Sequence, residues 1–125
     1  MSTSDMATVL AWHEALNGRD WETLVDLSSD DVDIAAADHA SQGIAALREW
    51  ARTLTVTLSP GRIFAHDGVV VVEEHVAGSA PGDDAEAASA FRVVDDQVTS
   101  MFRHGSVEEA LAATGLRESD LVDGG

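Results

Sequence analysis

Cysteine, tyrosine and lysine are all missing from this 125-residue chain, and it has only two prolines. Without cysteine there is no disulfide, no thiolate nucleophile and no Cys-ligated zinc site. Without tyrosine, no phenol can donate a hydrogen bond to a developing oxyanion. Basic charge is scarce as well: seven arginines face 23 acidic residues, for a formal net charge of -16. A field of that sign repels phosphate backbones and anionic lipid headgroups, so nucleic acid and membrane surfaces are excluded as expected partners. No apolar run approaches the roughly 20 residues of a membrane span, and the first residues carry no basic segment of the kind that opens a secretory signal. The expectation is a soluble, cytoplasmic protein of one domain, long enough to bury a core without staples.

What is present is periodic. Met6, Val9, Leu10, His13 and Leu16 recur at helical spacing, with Asp5 in the first turn where a carboxylate suits the helix dipole. Asn17 and Gly18 stop that helix, because glycine takes the left-handed C′ conformation cheaply. Asp20 caps a second helix, Trp21 to Leu27, and a strand follows over Val32 to Asp38. After Gly43, the residues Ile44, Leu47, Ala51 and Leu54 form one apolar stripe that Trp50 widens.

The second half reads as strands. Thr55 to Ala65 is a long one, bent at Pro60-Gly61 because proline cannot donate to a ladder. The turn His66-Asp67-Gly68 leads into a strand over Val69 to Ala77, Gly78 to Asp84 is loop, and Glu86 to Val94 is a further strand. Asp95-Asp96 turns the chain into Val98 to Arg103. Ser106 and Glu109 then form the S-x-x-E signature of a capped helix that Gly115 closes, leaving a polar tail expected to fray.

The blocks WHEALNGRDWETLVDLSSDDV (12–32) and FRVVDDQVTSMFRHGSVEEALAATGL (91–116), in this order of elements, resemble the SnoaL-like branch of the nuclear-transport-factor-2-like superfamily. The resemblance covers residues 5 to 117. It implies an α+β, cone-shaped, cystatin-like fold: three N-terminal helices packed on a strongly curved, mainly antiparallel mixed sheet, with a short C-terminal helix. It implies a single domain over residues 1–117 followed by a polar tail, 118–125. It also implies an apolar cavity for a small molecule, no cofactor, and a homodimer formed through the outer face of the sheet.

The same resemblance locates where relatives keep their chemistry. The base of steroid isomerases falls at Ala36, their oxyanion-binding tyrosine at Trp12 and their second acid near Ala90, while the acid that cyclases and epoxide hydrolases carry on the last strand falls at or beside Arg103. Arginine stays protonated and cannot abstract a proton. The candidate catalytic residues are therefore others. Asp38 lies two positions beyond Ala36, hence on the same strand face, where it could replace the missing base. Glu73 with His75 forms a second candidate, an acid and an imidazole on one face of a valine-rich strand; the opposite face carries Glu74 alone, and the sequence does not choose between them. Trp12, Met101 and Arg103 are the candidate ligand-binding residues. The five histidines show no HxH, HExxH or carboxylate-triad spacing, so no metal site is expected. Two readings follow: a small-molecule-binding protein that has lost the usual catalytic positions, and an isomerase, cyclase or hydrolase that uses Asp38 or Glu73/His75 as general base.

Overall fold

Val9, Trp12 and Leu16 stack on one side of a helix, and burying that stripe commits the first segment to α1, Ser2–Asn17. The computed structural model describes residues 2–36, 39–53, 56–77 and 85–122. After α1 come α2 (Trp21–Asp26), β1 (Ser28–Ala36), β2 (His39–Gln42), α3 (Ile44–Thr53), β3 (Thr57–His66), β4 (Val69–Ala77), β5 (Ala85–Val94), β6 (Gln97–His104) and α4 (Val107–Thr114). A single turn of 3-10 helix, Glu118–Asp120, follows.

The six strands form one mixed sheet in the order β2-β1-β6-β5-β4-β3. Only β1 and β6 run parallel; the other neighbouring pairs are antiparallel. Register shifts interrupt three of the ladders, at Ser28/Asp33, Pro60/Ile63 and Arg92/Val93, and irregularities of this kind bend and twist a strand. The three N-terminal helices lie on one side of this sheet. Val32, Ile34, Val72, Phe91 and Met101 point toward them and pack with Val9, Trp12, Leu24 and Leu47. This is the α+β cone expected from the resemblance.

Both faces of the sheet carry core. On the outer face Phe64, Val71, Ala88 and Ala90 pack under Val107 and Ala110 of α4 and Leu116. The apolar outer stripe expected to meet a second subunit is therefore largely covered from within the chain. Ala90, where the count from the relatives placed a second acid, belongs to this outer cluster and does not face the cone's interior.

Local chemistry explains the turns. The β3–β4 hairpin closes with Asp67 and Gly68 at φ of 50° and 80°, and the β5–β6 hairpin with Asp95 and Asp96 at 51° and 63°. Two successive left-handed residues are the signature of the turn whose twist matches a hairpin. At the end of α1 it is Arg19, φ 57°, that turns left-handed, and not Gly18. The amide of Asp20 bonds the Ala15 carbonyl and that of Arg19 the Leu16 carbonyl, the pairing of a Schellman motif with Arg19 at C′. Its guanidinium lies 6.0 Å from the Trp21 ring.

Two stretches differ from the sequence expectation. Strand β1 begins at Ser28, earlier than Val32, and the polar segment His39–Gln42, to which the sequence assigned no element, is an edge strand paired with β1. Part of the tail is also tied down: the amide of Val122 bonds the Ile63 carbonyl at 2.7 Å, and Leu121 bridges to Phe64. The α4 cap forms as Ser106 Oγ accepts from the Glu109 amide, but the Glu109 carboxylate reaches Gly105 and not the cap residue itself.

Candidate functional site

Alternation along β4 decides the first question. Val70, Val72 and Glu74 point inward, while Glu73 and His75 point outward. Glu74 is fully buried, yet it is not isolated. Its Oε2 lies 2.6 Å from Nε2 of His13, and the Ser89 hydroxyl donates to its Oε1 at 2.7 Å. His13 sits on the apolar stripe of α1, and its Nδ1 lies 2.9 Å from the Val9 carbonyl oxygen. A carbonyl only accepts, so Nδ1 carries a hydrogen and donates it.

That assignment fixes the chemistry of the pair. With Nδ1 protonated, a contact of 2.6 Å between Nε2 and Oε2 requires one further proton between them, either on the imidazole as an ion pair or on the carboxyl as a neutral one. Both side chains are 1% exposed, where an uncompensated charge would be costly. His13, Glu74 and Ser89 thus form a closed polar knot that stores one proton inside an apolar core. Aromatic rings surround it: His13 lies edge-on to Phe91 at 5.3 Å and to Trp12 at 5.8 Å.

Trp12 then connects the knot to the surface. It meets Phe91 edge-on at 5.3 Å and stacks on Trp50 of α3 at 6.2 Å with 26° between the planes. Trp50 is half-buried and lines a groove of about 370 Å³ together with Ser41, Ala46, Glu49 and Thr53. The groove lies where the exposed side of α3 meets β2. Ser41 Oγ itself is buried and, among the described residues, has no hydrogen-bond partner.

The residues singled out from the sequence are dispersed by the fold. Glu73 and His75 do not form an interior acid/base pair, because the alternation of β4 turns both away from the core. His75 is 53% exposed, with Glu86 at 3.9 Å. Glu73 pairs with Arg62 across the bulge, at 3.2 Å and 3.0 Å, and the hydrogen bonds from that guanidinium hold its carboxyl below the usual glutamate range while partial burial opposes the shift. Asp38 lies outside the described residues. Trp12 is fully buried, and its indole N–H is committed to Ser28 Oγ at 3.1 Å, which in turn donates to the Leu24 carbonyl. Met101 packs in the inner core, and Arg103 follows it on the same face in register with Ser89.

The sequence did offer one signal for the knot. A histidine on the buried stripe of a helix needs a partner for each nitrogen, and Glu74 was the acid on the alternative face of β4. Among the described residues no group of three His, Asp or Glu side chains could hold a metal ion. No helix among the described residues is long and apolar enough to cross a membrane.

Comparison with solved structures places this architecture. Bal32a, from a soil-derived mobile gene cassette, superposes with a TM-score of 0.75 at 16% identity, covering 82% of this chain and 89% of its own. A candidate ketosteroid isomerase from Kribbella flavida gives 0.74 at 19% identity, over 82% of this chain and 77% of its own. A candidate polyketide cyclase from Sinorhizobium meliloti gives 0.72 at 17%, over 78% and 94%. At such identities the likeness is one of fold. No curated protein sequence matches the chain. The model of the SnoaL-like domain matches residues 9–101, three-quarters of the length, and the chain belongs to that family.

Proposed function

We propose that this protein binds a small apolar or partly polar molecule in the groove between α3 and β2, and that the interior of the cone serves as the rigid wall behind it. The observation that carries the reading is the unbroken row of rings from Trp50 in the groove through Trp12 to Phe91 in the core. A groove of about 370 Å³ falls within the roughly 300–1,000 Å³ of small-molecule sites. The knot of His13, Glu74 and Ser89 supports binding over turnover, since its short hydrogen bonds are made within the protein. The reading requires no cofactor and no metal.

A native mass spectrometry search of a compound library against the wild type and Trp50→Ala tests it. Ligands are expected to be retained by the wild type and lost from the variant. A library whose hits bind both proteins equally would remove the groove from consideration.

A second reading rests on the proton stored between His13 and Glu74. An isomerase, cyclase or hydrolase of this fold needs a general base within the cone, and this pair is the acid and imidazole that meet there among the described residues. In that case Glu74→Gln keeps ligand affinity and abolishes turnover; turnover that survives the substitution excludes the pair from the chemistry. The likeness to the family also supports pairing of two chains through the outer sheet face, where Val94 and Phe102 remain 51% and 43% exposed.

A further inference from the structure

The groove beside α3 carries charge as well as an aromatic wall. Ala46, Glu49, Trp50 and Thr53, which line it, recur at helical spacing and so share one face of the helix. Trp50 is half-buried, and the fully buried Trp12 stacks on it from the core side, so the ring surface that stays open is turned into the groove. The face of an aromatic ring is the negative part of its quadrupole, and an indole attracts a cation more strongly than the other side-chain rings do.

Three further terms have the same sign. Glu49 adjoins Trp50 with its side chain 68% exposed, and its ion pair with Arg52 is loose, at 3.8 Å, so the carboxylate is still able to take a second cation. Trp50 and Thr53 belong to the last turn of α3, where the open carbonyls of a helix end carry partial negative charge and favour cations. Over the whole chain, a net charge of -16 draws cations toward the surface and repels anions. Arg48 and Arg52 of the same helix oppose this, but neither lines the groove.

From these observations we infer that the groove takes an organic cation, a substituted ammonium whose charge sits over Trp50 and beside Glu49 and whose apolar remainder lies along Ala46 and Thr53. The assignment rests on the groove reading of the preceding section and adds a charge to the ligand. Glu49 and the open side of Trp50 are both accessible to solvent, so a ligand reaches them without any rearrangement of the core. Benzyltrimethylammonium, benzyl alcohol and phenylacetate share one benzyl group and carry a positive, no and a negative charge, which makes them suitable probes.

Isothermal titration calorimetry of the three compounds at low salt, against the wild type, Glu49→Gln, Arg52→Gln and Trp50→Ala, separates the two levels. Each of the two charge contacts is worth about twofold to fivefold at an exposed site, so the wild type is expected to bind benzyltrimethylammonium about fivefold to twentyfold more tightly than benzyl alcohol and to reject phenylacetate. Glu49→Gln should lower the preference for the cation about twofold to fivefold while leaving the affinity for benzyl alcohol unchanged, and Arg52→Gln should raise that preference. Trp50→Ala should weaken the cation and the alcohol alike. The Glu49 and Arg52 side chains are exposed, so neither of their substitutions threatens the fold. A cation preference unchanged in Glu49→Gln is a general attraction to an acidic surface; that result, or an alcohol or phenylacetate that binds as tightly as the cation, overturns the ligand class and leaves the groove standing. If none of the three binds in a Trp50-dependent manner, the groove reading itself fails.

Discussion

Glu74 is the residue on which the interior of this protein turns. A carboxyl at the centre of an apolar core survives only because His13 and Ser89 occupy both of its oxygens. Glu74→Ala leaves the His13 nitrogen unpaired in the core and should destabilise the fold by about 3–5 kcal/mol, measured by urea denaturation. Replacing the whole knot, with His13→Phe, Glu74→Met and Ser89→Ala together, removes every polar group at once and should restore most of that loss. If the triple variant is as unstable as the single one, the knot is held by something other than mutual satisfaction.

The neighbouring Glu73 makes a different prediction at the same scale. Gly61 allows the approach: a Cβ there would sit 3.1 Å from the Glu73 carboxylate, which meanwhile takes the Arg62 guanidinium. Since the folded carboxyl titrates below the ordinary value of 4.5, its pairing stabilises the protein above that value and is lost as the pH falls through the lower, folded one. The pair is exposed, so the effect is modest. Stability curves of the wild type and Glu73→Gln should run apart above pH 4.5 and converge in stronger acid; curves that stay parallel throughout would show that the pairing contributes nothing.

Among the elements, the hairpins are where sequence and structure agree most closely, and also where stability is left unclaimed. Asp95 and Asp96 both sit at positive φ, a region aspartate tolerates and glycine adopts freely. Asp96→Gly should stabilise the β5–β6 hairpin by about 1 kcal/mol, visible as a rise in thermal midpoint. A fall would mean that the aspartate side chain is worth more than its backbone strain. The hairpin turns, the Asp20 and Ser106 N-caps and the stripe Ile44, Leu47 and Ala51 of α3 were legible because each depends on a few adjacent residues, while Leu54, the last residue of that stripe, lies outside the described residues. Strand β2 was not: His39–Gln42 has no apolar run and exists only because β1 lies beside it. The candidate site was half legible for the same reason. Both faces of β4 carry polar residues near Glu74, and only His13, 61 positions away, decides which face is buried. Trp50 was readable as part of a stripe, but its stacking on Trp12 depends on how α1 and α3 pack together.

For the whole molecule, the open matter is what the outer face of the sheet does. α4 already covers Val71, Ala88 and Ala90, so a second chain would have to dock on what is left, chiefly Phe102 and Val94 beside a cleft of about 180 Å³ between α4 and the sheet. Apolar burial favours that contact, and a net charge of -16 on each chain opposes it. The opposing term is screened over a Debye length of about 8 Å at physiological salt, so association through this face should strengthen as salt is raised. Light scattering at micromolar concentration is expected to give a dimer mass in salt, a smaller average mass at low ionic strength, and a monomer for Phe102→Asp under both conditions. A wild type that stays monomeric in high salt, or a Phe102→Asp variant that still dimerises, would mean that α4 has closed this face and that the chain works alone or pairs elsewhere.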